Sequence, residues 1–533
     1  MDLHGAFHVY DTTLRDGAQQ EGLNLSVADK LGIARHLDGL GVGYIEGGWP
    51  GANPKDTEFF RRASQELDLR HARLAAFGAT RRPGAKAADD PQVAALRDSG
   101  AGVVTLVAKS HDRHVELALR TTLEENLAMV RDTVAHLRAE GQQVFLDAEH
   151  FFDGYRANRD YALEVLRTAY DAGADVVALC DTNGGMLPPW VTDVVHDVIA
   201  TTEVRIGIHC HNDTGCAVAN TLAAVDAGAS HVQGTINGYG ERTGNADLIS
   251  VVANLELKLD RAVLPAGLLR DSTRIAHAVA DVTNFPPASR QPYVGTSAFA
   301  HKAGLHASAI KVDPDLYQHM DPVGVGNDMR LLVSDMAGRA SIELKGRELG
   351  FDLTAGEDDR GLVTRITERV KALESRGYTF EAADASFELL LTEEVEGTRP
   401  SYFDVESWRV ITETLPHREA GEEAVSEATV KLKAEGVRYV VTGEGNGPVN
   451  ALDSALRAAI GQAFPEVAKF ELIDYKVRIL DQGHGTDAIT RVLIETSDGE
   501  SSWVTVGVGH NVIEASWGAL VDGLTYGLRR HSG

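Results

Sequence analysis

The chain has 533 residues, 43% hydrophobic and 24% charged, enough for three or four domains around sizeable cores. Its formal net charge is −27 with no basic tract, which argues against phosphate-backbone binding and makes any anionic substrate depend on a local cationic centre. Cys180, Cys210 and Cys216 are too few and too close for a disulfide framework. The opening MDLHGAFHVYDTTLRDG has neither a cationic nor an apolar signal region, and no apolar run nears the ~18 residues that span a bilayer. The expectation is a soluble, cytoplasmic protein with no nucleic-acid and no membrane partner.

Apolar, β-branched runs recur at 8–12, 43–47, 73–77, 103–108, 144–148, 175–180, 205–209 and 231–236. Amphipathic stretches with helical spacing alternate with them, for example at 27–40, 123–139, 161–172, 218–227 and 248–259. Ser26 with Asp29 reads as a capping box, and Gly41 as the stop of the helix it opens. Eight β/α units at a spacing of roughly 30 residues predict an α/β fold, a (β/α)8 TIM barrel over 1–280. An open doubly wound sheet is the alternative that periodicity alone leaves standing.

After Leu264 the rhythm breaks. The stretch 284–297, with Pro286, Pro287 and Pro292, reads as an ordered linker, and 298–385 as mostly helical, with a helix at 362–373. The Gly- and acid-rich stretch 352–359 is expected on the surface. Residues 281–384 are therefore taken as a helical linker subdomain. From Ala385 strands are expected at 386–391, 407–413, 427–432 and 438–442, then a helix at 449–460, strands at 472–480, 488–496 and 502–508, and a helix at 512–528. The helix entrances Gly443–Gly447 and Gly507–Asn511 resemble each other, so 385–533 reads as a C-terminal duplicated βββα unit. Helix N-termini facing a shared pocket would suit a small anion.

In a barrel of this kind the chemistry sits at the C-terminal ends of the strands. Polar residues do follow the apolar runs: Arg15 and Asp16 after the first, Glu46 after the second, Lys109 after the fourth, Asp147, Glu149 and His150 at the fifth. Asp181, Thr182 and Asn183 follow the sixth, His209, His211 and Asp213 the seventh, and Glu241, Arg242 and Asn245 the eighth. His209 and His211, two apart on a strand, share a face and suit one divalent metal, while Cys210 turns to the opposite side as core packing. Asp16 offers a carboxylate and Asn245 an amide oxygen, a mixed donor set that fits Mn²⁺, Mg²⁺ or Zn²⁺ acting as a Lewis acid on a carbonyl. Arg15 is suited to stabilising an oxyanion, with a barrel-mouth salt bridge as the plainer alternative.

The strings DTTLRDG (11–17), HCHND (209–213) and GERTGN (240–245) together resemble the 2-isopropylmalate, homocitrate and citramalate synthase family, Claisen-condensing enzymes on a metal-dependent TIM barrel. The likeness continues through AHKAGLH (300–306) and the duplicated C-terminal unit, and GGWPGANPKDTE (47–58) is most similar to the citramalate branch. The resemblance implies metal ligation by Asp16, His209, His211 and Asn245. It implies contact of Arg15 and Thr182 with a 2-oxo acid, and acid–base roles for Glu149, His306 and Tyr317, the last two contributed from the post-barrel segment of another subunit. It further implies acetyl-CoA and pyruvate as substrates, a homodimer, and a regulatory C-terminal domain with isoleucine as effector. Asp147 stands where some relatives carry an aromatic, so Phe77 and Leu106 become candidates for the apolar wall of the keto-acid pocket. A 2-isopropylmalate synthase using 2-oxoisovalerate, under leucine control, is the close alternative, and a metal-dependent aldolase or lyase the remoter one.

Overall fold

The computed structural model describes residues 7–334, 338–353, 359–412, 425–480 and 488–532. The expected surface stretch 352–359 and the end of the expected strand 407–413 fall largely outside them. Two compact units result, one of residues 1–299 with 320–328, the other of 300–319 with 329–533.

The first unit is a closed barrel of eight parallel strands in sequential order: β1 (His8–Asp11), β2 (Tyr44–Gly48), β3 (Arg73–Ala79), β4 (Val103–Lys109), β5 (Gln143–Glu149), β6 (Val176–Asp181), β7 (Ile206–Cys210) and β8 (His231–Gly234). β8 closes on β1, with His8 opposite His231. Alternation along each strand sorts the side chains. Val104, Leu106, Leu146, Leu179, Ile208 and Cys210 join the layer between strands and helices. Tyr10, Tyr44, Ala75, Val103, Phe145 and Val176 form a separate cluster that fills the barrel interior. Leu106 is therefore core packing rather than a wall of the keto-acid pocket.

The outer helices start and stop as their ends dictate. On the helix Val27–Leu40, Ser26 accepts from the Asp29 amide while Asp29 accepts from the Ser26 amide, and Gly41 ends it at φ 89°. The proline-bearing stretch after the helix Ser272–Thr283 is ordered without regular structure, and its Tyr293 and Val294 are buried in the barrel's core.

The second unit begins with a two-residue pair, β9 (Ala300–His301) and β10 (Arg330–Leu331). Its helices Gly304–Ile310, Arg339–Glu348 and Asp359–Ser375 are separated by irregular segments, so helix covers less of 298–385 than the sequence suggests. Residues 386–391 lie in a helix, Asp384–Glu396, and not in a strand. The run FELLL satisfies either pattern, and burial of Phe387, Leu390 and Leu391 against Val363, Ile366 and Val370 decides for helix. Two antiparallel sheets follow, β11 (Phe403–Thr412), β12 (Ser426–Ala434) and β13 (Val437–Gly445), then β14 (Glu471–Ile479), β15 (Thr490–Ser497) and β16 (Ser502–Gly509). Each is closed by a helix, Pro448–Ile460 and Val512–Ser532, so the duplicated βββα unit is present. In both halves a glycine lets the helix lie directly on the last strand. A Cβ on Gly443 would meet the Ala455 nitrogen at 2.4 Å, and one on Gly507 the Ala515 oxygen at 1.9 Å. Among the described residues no helix is long and apolar enough to cross a membrane.

Candidate active site

A cavity of 490 Å³ opens at the C-terminal end of the barrel strands, lined by Arg15, Asp16, Phe77, Lys109, Asp147, Glu149, Cys180, Thr182, His209 and His211 among others. At its floor Asp16, His209 and His211 converge, all buried. Asp16 Oδ2 lies 3.3 Å from His209 Nε2 and 3.8 Å from His211 Nε2. Burial works to raise the Asp16 carboxyl, but Arg15 and the two imidazoles outweigh it and hold Asp16 well below the usual carboxylate range. His211 is pushed down to about 4 by burial and by His209 beside it. A neutral imidazole next to an ionised carboxylate is a ready pair of metal donors.

Asn245, the fourth residue expected at the site, stands on the loop after β8, where its backbone bridges to His211. Its Nδ2 donates to the Tyr239 carbonyl at 3.1 Å, and Gly240, at φ 146°, leaves room for that amide, since a Cβ there would meet Nδ2 at 2.3 Å. With the NH₂ group so engaged, Asn245 Oδ1 is buried without a hydrogen-bond partner, as is Asp16 Oδ1. A buried carboxylate with an orphaned oxygen beside two imidazoles, and an orphaned amide oxygen on the residue paired with His211, fit a divalent cation with mixed N/O ligation. The donor set suits such an ion.

Arg15 Nε donates to Glu46 Oε1 at 2.5 Å, Nη1 lies 3.4 Å from Asp16, and the guanidinium carbon sits 3.8 Å from the centre of the Phe77 ring. Glu46 is held in turn by the Tyr10 hydroxyl, which donates to Oε2 at 2.6 Å. The salt bridge expected as the plainer role is thus present, and it fixes the plane of an Arg that also lines the cavity. Glu149 at the end of β5 is paired with Lys109 at the end of β4. Thr182 accepts from the His150 amide at 2.9 Å, which leaves its own O–H to donate. His306 and Tyr317 lie in the second unit, their rings 4.1 Å apart.

Residue-type reasoning left Glu46, Lys109, Asp147 and Gln233 without roles. Strand parity places all of them inside the barrel, Glu46 two beyond Tyr44, Asp147 two beyond Phe145, Gln233 two beyond His231.

The HMGL-like family profile matches residues 6–279, a homocitrate synthase post-HMGL domain-like profile matches 293–377, and the LeuA allosteric (dimerisation) domain matches 381–528. The chain is 69% identical over 529 residues to an (R)-citramalate synthase of Streptomyces coelicolor, covering 99% of this chain and 98% of that one. It is 48% identical over 524 residues to an (R)-citramalate synthase of Aquifex aeolicus, covering 98% of each. A 2-isopropylmalate synthase of Methanocaldococcus jannaschii is 31% identical over 529 residues, covering 98% of this chain and 95% of that one. With its barrel matched by the first profile and its whole length by these relatives, the chain belongs to the HMGL-like family and, within it, to the citramalate synthases.

Proposed function

We propose that the barrel condenses the acetyl group of acetyl-CoA with pyruvate, giving citramalate and free CoA. The observation that carries the reading is the cluster of Asp16, His209 and His211 in a cavity that also holds Arg15 and Glu149. A divalent cation held by Asp16, His209, His211 and Asn245, whether Mn²⁺, Mg²⁺ or Zn²⁺, would supply Lewis acidity at the keto oxygen. Arg15 and the Thr182 hydroxyl are assigned to the 2-oxo acid, Arg15 to the oxygen on which charge develops and Thr182 to the carboxylate. Glu149 takes a proton from the acetyl methyl group, and the resulting enolate carbon bonds to the keto carbon of pyruvate. The alkoxide so formed is protonated, and water then cleaves the thioester, releasing CoA. His306 and Tyr317 are proposed as acid partners, on the resemblance of the segment that carries them.

The test is release of CoA thiol from acetyl-CoA across a panel of 2-oxo acids, with and without chelator. Pyruvate should be turned over fastest, and chelation should stop the reaction. Preference for 2-oxoisovalerate would move the chain to the 2-isopropylmalate reading, and cleavage without condensation to a lyase. Glu149→Gln should lower kcat by at least ~10²-fold.

We further propose a homodimer, a cytoplasmic location in keeping with a CoA thioester substrate, and inhibition by isoleucine through the C-terminal unit. A cavity of 600 Å³ lined by Gly447, Pro448, Asn450, Arg457 and Tyr475 supports an effector site at the first glycine-rich entrance. The second entrance is closed by its own side chains, because Asn511 Oδ1 accepts from the amides of Ile513 and Glu514. Isoleucine at millimolar levels should inhibit the full-length enzyme, and indifference to it would remove this reading.

A further inference from the structure

Beneath the candidate metal cluster a line of hydrogen bonds crosses the barrel interior. Gln233 Oε1 lies 3.0 Å from His209 Nδ1, and Gln233 Nε2 donates to Asp147 Oδ1 at 2.8 Å. The same Nε2 lies 3.3 Å from His231 Nε2, and His231 Nδ1 lies 3.2 Å from His8 Nδ1. Gln233 and His231 are fully buried and Asp147 is 4% exposed. Neither Asp147 nor Gln233 belongs to the proposed ligand set.

The chemistry of these groups fixes the direction of every bond. Burial and Glu46 push the Asp147 carboxyl up to about 6, so at pH 8 it is ionised and only accepts; the NH₂ of Gln233 then faces Asp147 and its carbonyl faces His209. A carbonyl also only accepts, so His209 must carry its proton on Nδ1. Its Nε2, 3.3 Å from Asp16 Oδ2, is then the nitrogen left to hold the proposed metal in place of a proton. The second N–H of Gln233 requires an accepting Nε2 on His231, whose proton then sits on Nδ1 and is donated to His8. Burial, reinforced by His8, pushes His231 well down, in keeping with a neutral ring.

We propose that Asp147 is a positioning residue which, through Gln233, sets the tautomer and ring orientation of His209 and so prepares the metal site. The residue on β5 acts on a ligand of β7 by way of β8, across the barrel axis. Second partners of a ligating imidazole commonly change metal affinity by ~10–100-fold when removed. The inference rests on the metal reading given above, and the experiment separates the two.

Metal-free, full-length protein is titrated with Mn²⁺ by calorimetry at pH 8, with thermal unfolding followed in parallel. Wild-type protein should bind one Mn²⁺ at this site and His211→Ala should not. Absence of binding by the wild type overturns the metal reading and the relay with it. Gln233→Met keeps every charge but removes the acceptor on His209 Nδ1, and should weaken binding ~10–100-fold in a protein that still unfolds cooperatively, at a melting temperature lowered by the groups left unpaired. Asp147→Asn should also weaken it, because an amide no longer dictates which way Gln233 faces. The double variant Asp147→Asn, Gln233→Glu moves the carboxylate one step along the line, where it again accepts from His209, and should return affinity to within about threefold of wild type. Wild-type affinity in Gln233→Met, or no recovery in a folded double variant, overturns the relay while leaving the metal site standing.

Discussion

At the scale of single residues, the site depends on charges that the barrel holds in fixed planes. Arg15 is clamped by Glu46 and laid over Phe77, a geometry only a planar guanidinium satisfies. Arg15→Lys keeps the charge and loses the fork, so kcat should fall much more than affinity for pyruvate; a loss confined to KM would reduce Arg15 to ground-state binding. Asp11, the last residue of β1, accepts from the Thr13 amide and hydroxyl, both at 2.9 Å. Burial pushes its carboxyl up to about 7 against those hydrogen bonds. In the unfolded chain the same carboxyl ionises near 3.8. The folded protein therefore binds more protons between these values, and Asp11 costs stability as pH rises from about 4 to about 7, by at most ~1.4 kcal/mol per pH unit. Asp11→Asn should gain on wild type in urea midpoint across that window, and a difference independent of pH would absolve Asp11.

At the scale of elements, the glycines on the last strand of each βββα half matter more than the sequence of the loops after them. Gly443 and Gly507 are the points where a helix backbone touches a strand backbone. Gly507→Val would drive the helix Val512–Ser532 off β16 and open the cluster that contains Ala515, Ala519 and Leu520. Overpacking of this kind typically costs ~1–3 kcal/mol, and here backbone rather than a side chain is in the way, so the upper end is expected. A drop in the melting temperature of the C-terminal unit, with metal binding by the barrel intact, is the outcome to look for. The helix Asp384–Glu396 also limits how the regulatory reading is tested. Its Ser386 hydroxyl accepts from the Val506 amide at 3.0 Å, so a chain cut at Ala385 would lose part of a packed core as well as the strands. Tyr475→Ala, at the wall of the 600 Å³ cavity, gives up one hydrogen bond to Ser516 rather than a core, and should relieve the proposed inhibition by isoleucine.

At the scale of the whole molecule, the net charge of −27 keeps copies of the chain apart, so any stable dimer needs apolar contact to offset repulsion. β14 is an edge strand with Val477 and Ile479 exposed at 46% and 58%, an apolar edge that the proposed dimer could cover. Val477→Lys with Ile479→Lys should shift the proposed dimer towards monomer in sedimentation velocity, more so at low salt, where the added repulsion is less screened. An unchanged sedimentation coefficient would place the dimer contact elsewhere.

Local pattern alone determined much of this protein. Eight alternating units, their strand ends rich in acid, amide and imidazole groups, and the repeated glycine-rich entrances are properties of neighbouring residues, and the folded chain has the barrel and the βββα pair they imply. The His209/His211 pair was readable because two residues on a strand share a face whatever the strand packs against. What needed tertiary structure was everything set by which side of a strand becomes the inside. Leu106 looked like a pocket wall from its place near a strand end, but it has the parity of Leu146 and points to the helices. FELLL fits a strand or a buried helix equally, and only the partners of Phe387 choose. The two glycine-rich entrances differ because Asn511 caps one of them, a contact that a similar string does not reveal. Asp147 and Gln233, 86 residues apart, become partners only when β5 and β8 face each other across a closed barrel. Periodicity is local, whereas a hydrogen bond across an axis depends on closure, and closure is a property of all eight strands together.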